Sequence, residues 1–85
     1  MMNMLKTLFL ITSLFIATAF AAVKINKASA EDISKELKGI GIVKATAIVS
    51  YRDKNGPFKT KEQLTEVKGV GLKTVEKNRD NILLK

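Results

Sequence analysis

The string apolar, Lys, Gly, apolar, Gly occurs twice in this chain, as Leu37-Lys38-Gly39-Ile40-Gly41 and as Val67-Lys68-Gly69-Val70-Gly71, with a spacing of 30 residues. Each copy precedes a segment with helical patterning. Glycine lets a backbone turn sharply and approach a partner closely, and the helix that follows offers unpaired N–H groups and the positive end of its dipole. A single glycine pair reads as a tight turn between packed helices. Two matching copies at a regular interval in a basic chain point further, to a paired grip on phosphates.

Length and leader bound the fold. Of 85 residues, the first 21 read as a secretory signal: Lys6 is the positive n-region, Leu8 to Phe20 is an apolar run broken only by Thr12, Ser13 and Thr18, and Ala19-Phe20-Ala21 is a cleavage site of the A-x-A type. The alternative, an uncleaved anchor, meets the difficulty that Leu8 to Val23 falls short of the roughly 20 apolar residues of a spanning helix. Cleavage leaves residues 22–85, one small domain near the lower limit for a single hydrophobic core. The expected product is soluble outside the cytoplasm. With no cysteine, disulfide frameworks and thiolate metal sites are excluded.

Only Lys6 of the 15 Lys and Arg residues falls in the leader, so 14 remain against 8 Asp and Glu, a side-chain charge of +6. That excess calls for an anionic partner; nucleic acid, an anionic lipid surface and an acidic protein all satisfy it. The hairpins decide for nucleic acid.

The patterning predicts two similar helical halves. Ser29 caps a helix over about Ala30 to Leu37, with Glu31 and Asp32 in its positive first turn and Ile33 and Leu37 on one face. A second helix runs from Ile42 or Val43 to Lys54 or Asn55, its stripe Ala45, Ile48 and Val49 packing against Ile33, Leu37 and Ile40. Asn55-Gly56-Pro57 ends it, and Phe58 folds back as a plug between the halves. Thr60-Lys61-Glu62-Gln63 forms a capping box before a short helix carrying Leu64 and Val67. A last helix is expected from Leu72 to Leu83, with Val75 and Ile82 inward. Asn78 falls on that inner stripe, where an apolar residue is expected, so it lies at the edge or hydrogen-bonds within the core.

Four stretches carry a family resemblance: Lys24-Ile25-Asn26-Lys27-Ala28-Ser29, Gly39-Ile40-Gly41 with Lys44-Ala45, Tyr51-Arg52 through Gly56-Pro57-Phe58-Lys59, and Val67-Lys68-Gly69-Val70-Gly71 with Lys73-Thr74. Together they resemble the tandem helix-hairpin-helix domain of ComEA-type competence DNA receptors, over essentially all of residues 22–85. The resemblance implies an all-α fold of four short helices plus a connector. Its two hairpins, related by a pseudo-twofold, would hold both strands of duplex DNA across the minor groove. It also implies capture of incoming DNA outside the cytoplasmic membrane during natural transformation, with membrane uptake machinery as a further partner. Relatives anchored in the membrane place a linker before the domain; here Ala21 leads to Lys24 with none, as in the short periplasmic form of diderm bacteria. Asn78 departs from an apolar position of the family. Ile42-Val43 stands where polar residues are common, so the two hairpins are expected to bind unequally.

The expected DNA ligands are Lys38, Gly39, Ile40, Gly41, Val43 and Lys44 in the first half and Lys68, Gly69, Val70, Gly71, Lys73 and Thr74 in the second. Backbone N–H groups of the hairpins would meet phosphates, Lys44 and Lys73 would reach flanking ones from exposed positions, and Thr74 would donate its hydroxyl. Gly41 and Gly71 are expected to hold a conformation reserved for glycine, so that valine there harms folding and binding together. Such contacts carry little base information, which predicts binding without sequence specificity. No enzyme, metal, cofactor or small-molecule substrate is expected: the chain has no His and no Cys, and its carboxylates are scattered among lysines at helical spacing. Two other roles fit the same pattern. One is an extracytoplasmic protein-interaction module, as in the small extrinsic lumenal subunit of photosystem II; the other is an accessory to a separate nuclease or repair enzyme.

Overall fold

The structure, a computed structural model, describes residues 21–85. The expected signal segment, residues 1–21, lies outside the described residues apart from Ala21. Strand β1 (Val23–Lys24) opens the domain, followed by helix α1 (Ala30–Glu36), helix α2 (Ile42–Asn55) and a 3₁₀ helix (Glu62–Glu66). Helix α3 (Leu72–Asn78), a 3₁₀ turn (Arg79–Asn81) and strand β2 (Ile82–Leu83) complete it.

Helix α1 starts as the sequence predicts, with the Asp32 N–H donating to Ser29 Oγ at 3.1 Å and Glu31 and Asp32 in the first turn. Helix α2 spans the expected residues and stops at Gly56, whose positive φ and following Pro57 end it. The third helical segment is 3₁₀, with Leu64 buried within it and Val67, buried in turn, as its C-cap. The predicted capping box forms in shifted register: Gln63 N–H donates to Thr60 Oγ1 at 3.1 Å, while Gln63 Oε1 accepts from Lys59 N–H, at 2.9 Å, instead of from Thr60.

The last helix is shorter than predicted. It ends at Asn78, and Ile82 reaches the core from a strand. Three of the four residues Asn78-Arg79-Asp80-Asn81 are Asn or Asp, whose side chains compete with the helical backbone. Beyond them Ile82-Leu83 pairs in parallel with Val23-Lys24, and Ile25 N–H extends the ladder to the Leu83 carbonyl at 3.0 Å. The expected all-α fold therefore closes with a two-stranded sheet joining the domain's ends.

Ile25, Ile33, Ala45, Ile48, Phe58, Leu64, Val75 and Ile82 form the centre of one core drawn from both halves. Phe58 is buried as the expected plug and stacks on Tyr51, with ring centroids 5.2 Å apart. Two asparagines fix backbone to backbone across this core. Asn26 Oδ1 accepts from Phe58 N–H at 2.7 Å and its Nδ2 donates to the Phe58 carbonyl at 3.0 Å. Asn78, only 1% exposed, does the same for the first hairpin: Oδ1 accepts from Lys38 N–H and Nδ2 donates to the Lys38 carbonyl, both at 2.8 Å, with a further bond to the Thr74 carbonyl. Its polar atoms are thus satisfied within the core.

Near the end of the chain Arg79 bridges Glu62 and Glu76, tying α3 to the 3₁₀ helix, and Lys61 Nζ donates to the Arg79 carbonyl at 2.7 Å. Hydrogen bonds from the guanidinium hold both carboxyls below their usual range and push Arg79 up. Arg52 pairs with a carbonyl, donating from Nη1 to Ile25 O at 2.8 Å.

Positive φ is found at the first glycine of each hairpin, Gly39 (76°) and Gly69 (92°). Gly41 and Gly71 have φ of −76° and −95° in extended conformations that any residue adopts, which corrects the expectation that they need glycine's freedom. Alanine at Gly39 or Gly69 is expected to destabilise the domain by about 1 kcal/mol, against changes of a few tenths for serine at Gly41 or Gly71, measured by urea denaturation. Asn78→Leu, which removes three hydrogen bonds from the core, is expected to cost roughly 1–3 kcal/mol in the same measurement, despite matching the apolar stripe.

Candidate nucleic-acid interface

The 30-residue repeat of the sequence is also a repeat of burial. From Leu37 to Ile48 and from Val67 to Asn78, buried and exposed positions follow the same order except that Ala47 is half-buried where Lys77 is exposed. In each copy the residue between the glycines is inside: Ile40 is 3% exposed and Val70 is 5% exposed. These side chains anchor the hairpins. The N–H of Val70, expected among the DNA ligands, donates to the Val67 carbonyl at 3.0 Å, and its side chain packs in the core.

The two hairpins meet reciprocally. A β-carbon placed on Gly69 would lie 3.5 Å from Cε and 3.6 Å from Cγ of Lys44, which follows the first hairpin. One placed on Gly39 would lie 3.9 Å from the methyl of Thr74, which follows the second. Lys44 and Thr74 are 30 residues apart, so the contact is one pseudo-twofold interaction made twice. Each hairpin rests on the first turn of the helix leaving the other. Lys44 is consequently half-buried along its stem, where the sequence reading expects full exposure; Lys73 is exposed as expected. The Thr74 methyl faces the first hairpin.

At the other end of each hairpin the backbone is open. Gly41 and Gly71 are the N-caps of α2 and α3, without a side-chain cap, and a β-carbon on either would meet nothing within 4 Å. Helical bonding begins with Ala45 N–H to the Gly41 carbonyl, 2.9 Å, and Val75 N–H to the Gly71 carbonyl, 3.2 Å. The N–H groups of residues 42–44 and 72–74 precede that bonding and point out of the helix end.

Charge is arranged to match. Helix α1 carries Glu31 and Asp32 in its first turn and the 3₁₀ helix carries Glu62, while the first turns of α2 and α3 hold no acid. Between Leu37 and Arg52, and between Val67 and Val75, there is no Asp or Glu at all. Lys38, Lys68 and Lys73 are exposed around these two helix ends, with Lys44 between the hairpins. The result is a pair of adjacent, uncompensated positive helix ends.

The structure therefore brings together Lys38, Gly39, Gly41, Val43, Lys44, Lys68, Gly69, Gly71, Lys73 and Thr74 and places Ile40 and Val70 beneath them. Sequence reasoning misses Ile42 and Leu72 as surface residues of this site: they are 51% and 56% exposed and occupy equivalent places after the second glycine. Ile42 lies three residues before Ala45, in the helical register of the buried stripe, so periodicity alone hides its exposure. The signal able to reveal it is the repeat, since Leu72 and Ile42 align.

An uncharacterized protein of Haemophilus influenzae is 58% identical over 59 residues, covering 69% of this chain and 53% of its own length. ComE operon protein 1 of Bacillus subtilis is 43% identical over 65 residues, 76% of this chain and 31% of that protein. The human S1 RNA-binding domain-containing protein 1 is 40% identical over 58 residues, 68% of this chain and 6% of that protein. The chain thus spans about half, or less, of the length of these relatives. Residues 18–83 match the helix-hairpin-helix motif family. That span contains both hairpins and every buried residue of the core, and the chain belongs to the helix-hairpin-helix family.

Proposed function

We propose that this protein binds double-stranded DNA without sequence specificity, outside the cytoplasm, and captures incoming DNA for uptake in natural transformation. The observation that carries the reading is the treatment of the two helix ends behind the hairpins. Where a helix end serves only the fold, the chain caps and compensates it, as with Ser29, Glu31 and Asp32 in α1. At Gly41 and Gly71 it uses glycine where neither backbone conformation nor internal space requires it, and it withholds acid. Glycine at an N-cap gives up little stability and leaves the amides of the first turn open to an external anion. Two such sites, side by side and flanked by lysines, suit the phosphates of two strands.

The competence setting is supported by the similarity to ComE operon protein 1 and by the secretory pattern of residues 1–21. Two bare positive helix ends flanked by lysines favour a polyanion over the protein partner of an interaction module of the same fold. On this reading the protein is a binding protein, and the membrane uptake machinery receives the DNA that it holds.

Electrophoretic or anisotropy titration against unrelated duplexes tests the reading. Affinities within a few-fold of one another are expected, in the non-specific range of about 10⁻⁴ to 10⁻⁶ M at physiological salt. Lys44→Gln with Lys73→Gln keeps the γ-carbon over Gly69 and a side chain of similar reach while removing two charges; it is expected to lower the salt slope by about two. Gly41→Ser with Gly71→Ser is expected to weaken binding without loss of folding, because each hydroxyl occupies an amide otherwise offered to phosphate. Parent-like affinity in both folded variants would place the DNA elsewhere, or nowhere. Processing is checked by mass spectrometry of protein from the producing cell, where a chain beginning near Ala22 in the soluble extracytoplasmic fraction is expected and an intact Met1 in the membrane fraction counts against it.

A further inference from the structure

Large apolar side chains that are exposed among the described residues number four: Ile42 (51%), Val43 (81%), Leu72 (56%) and Leu84 (38%). Three of them fall within two residues of the second glycine of a hairpin, on the site that otherwise displays backbone amides and lysines. Lysine or serine at these places would serve phosphate binding and solubility better. Among the described residues they are first-turn positions of α2 and α3 that lie outside the core cluster.

We propose that Ile42, Val43 and Leu72 rest on the sugars that line the minor groove and thereby make the protein select duplex DNA over duplex RNA. The inference rests on the duplex-binding reading above and adds a chemical criterion to it. If the open amides next to these residues hold phosphates, the side chains beside them lie within reach of the adjoining sugars. In DNA the sugar edge there is C–H, which an apolar side chain covers at no cost in hydrogen bonds. In duplex RNA the minor groove is wide and shallow and displays 2′-hydroxyls. Covering a hydroxyl with valine or leucine strips its water without supplying a partner, and that penalty falls on RNA alone.

The other occupants of an apolar patch fit less well. A stable protein interface buries about 800 Å² on each partner, far more than three side chains present. A second copy of this chain would also bring Lys38, Lys44, Lys68 and Lys73 against their own kind. The same lysines draw a polyanion to the patch.

The test is fluorescence anisotropy with duplex DNA and duplex RNA of one sequence and length at a single salt concentration. The parent protein is expected to favour DNA by about tenfold or more. Ile42→Ser with Val43→Ser and Leu72→Ser is expected to bring the two affinities within about threefold while leaving the salt slope on DNA at the parent's value, since no phosphate contact is removed. Circular dichroism checks the fold, and Val43→Ser alone, at the most exposed of the three positions, supplies a milder variant in which part of the narrowing is expected. Equal binding of DNA and RNA by the parent overturns the inference, as does an unchanged ratio in the folded variants. So does loss of self-association or of anionic-vesicle binding in the triple variant with its DNA preference intact. Absence of any duplex binding by the parent instead defeats the functional reading on which the inference stands.

Discussion

The reciprocal contact between the hairpins is what the rest of the domain is arranged to hold. Lys44 lies along Gly69 and the Thr74 methyl faces Gly39, so each glycine turn is covered by the first turn of the other repeat. Positive φ at Gly39 and Gly69 bends the chain tightly enough to put Ile40 and Val70 into the core between them. A side chain at either glycine would be strained by its own backbone, and at Gly69 it would also press on the lysine stem. The closeness of the two helix ends, and hence the spacing of whatever they bind, follows from these two small contacts.

That pairing is not symmetric in its support. Ile48 and Asn78 stand at equivalent places in the repeat and are both buried, but one is a hydrocarbon and the other makes three hydrogen bonds. Through Asn78 the first hairpin is fastened by its backbone to α3, whereas Ile48 offers the second hairpin only packing. Val43 against Lys73 and Lys44 against Thr74 add to the difference. The first hairpin is the more apolar at its exit; the second carries an exposed lysine there.

Much of this was legible in the residues, and the parts that were not have physical reasons. Turn residues, caps and apolar spacing located α1, α2, the Gly56 stop, the Phe58 plug and both hairpins, because each depends on neighbours in sequence. The 3₁₀ helix was legible as a short helix but not as to type, because the three-residue spacing of Leu64 and Val67 suits an α-turn as well as a 3₁₀ one. The early end of α3 and the pairing of β2 with β1 were missed: pairing between Val23 and Ile82 joins residues 59 apart, and nothing local announces it. Asn78 was seen as an anomaly without its partner, since Lys38 lies 40 residues away. In the hairpins the glycine expected to need its conformational freedom was the second of each pair, and the backbone places that need at the first. Sequence shows that glycine is present, and only the backbone angles tell conformational need from a need for open space.

That distinction bears directly on function. A glycine required by φ says something about the fold; a glycine with ordinary φ and empty space around it says something about what approaches from outside. The carboxylates divide along the same line. Glu31, Asp32 and Glu62 sit in the first turns of the elements that enter the hairpins, where they offset a positive end, and the elements that leave the hairpins have none. Forgoing an acid and a hydroxyl cap at both exits gives up stabilisation on the order of 1 kcal/mol at each, in a domain small enough to feel it. A fold selected for stability alone would have filled both places as it filled Ser29, Glu31 and Asp32. The two bare ends are therefore the feature of this structure that the proposed phosphate binding accounts for and that fold stability alone does not.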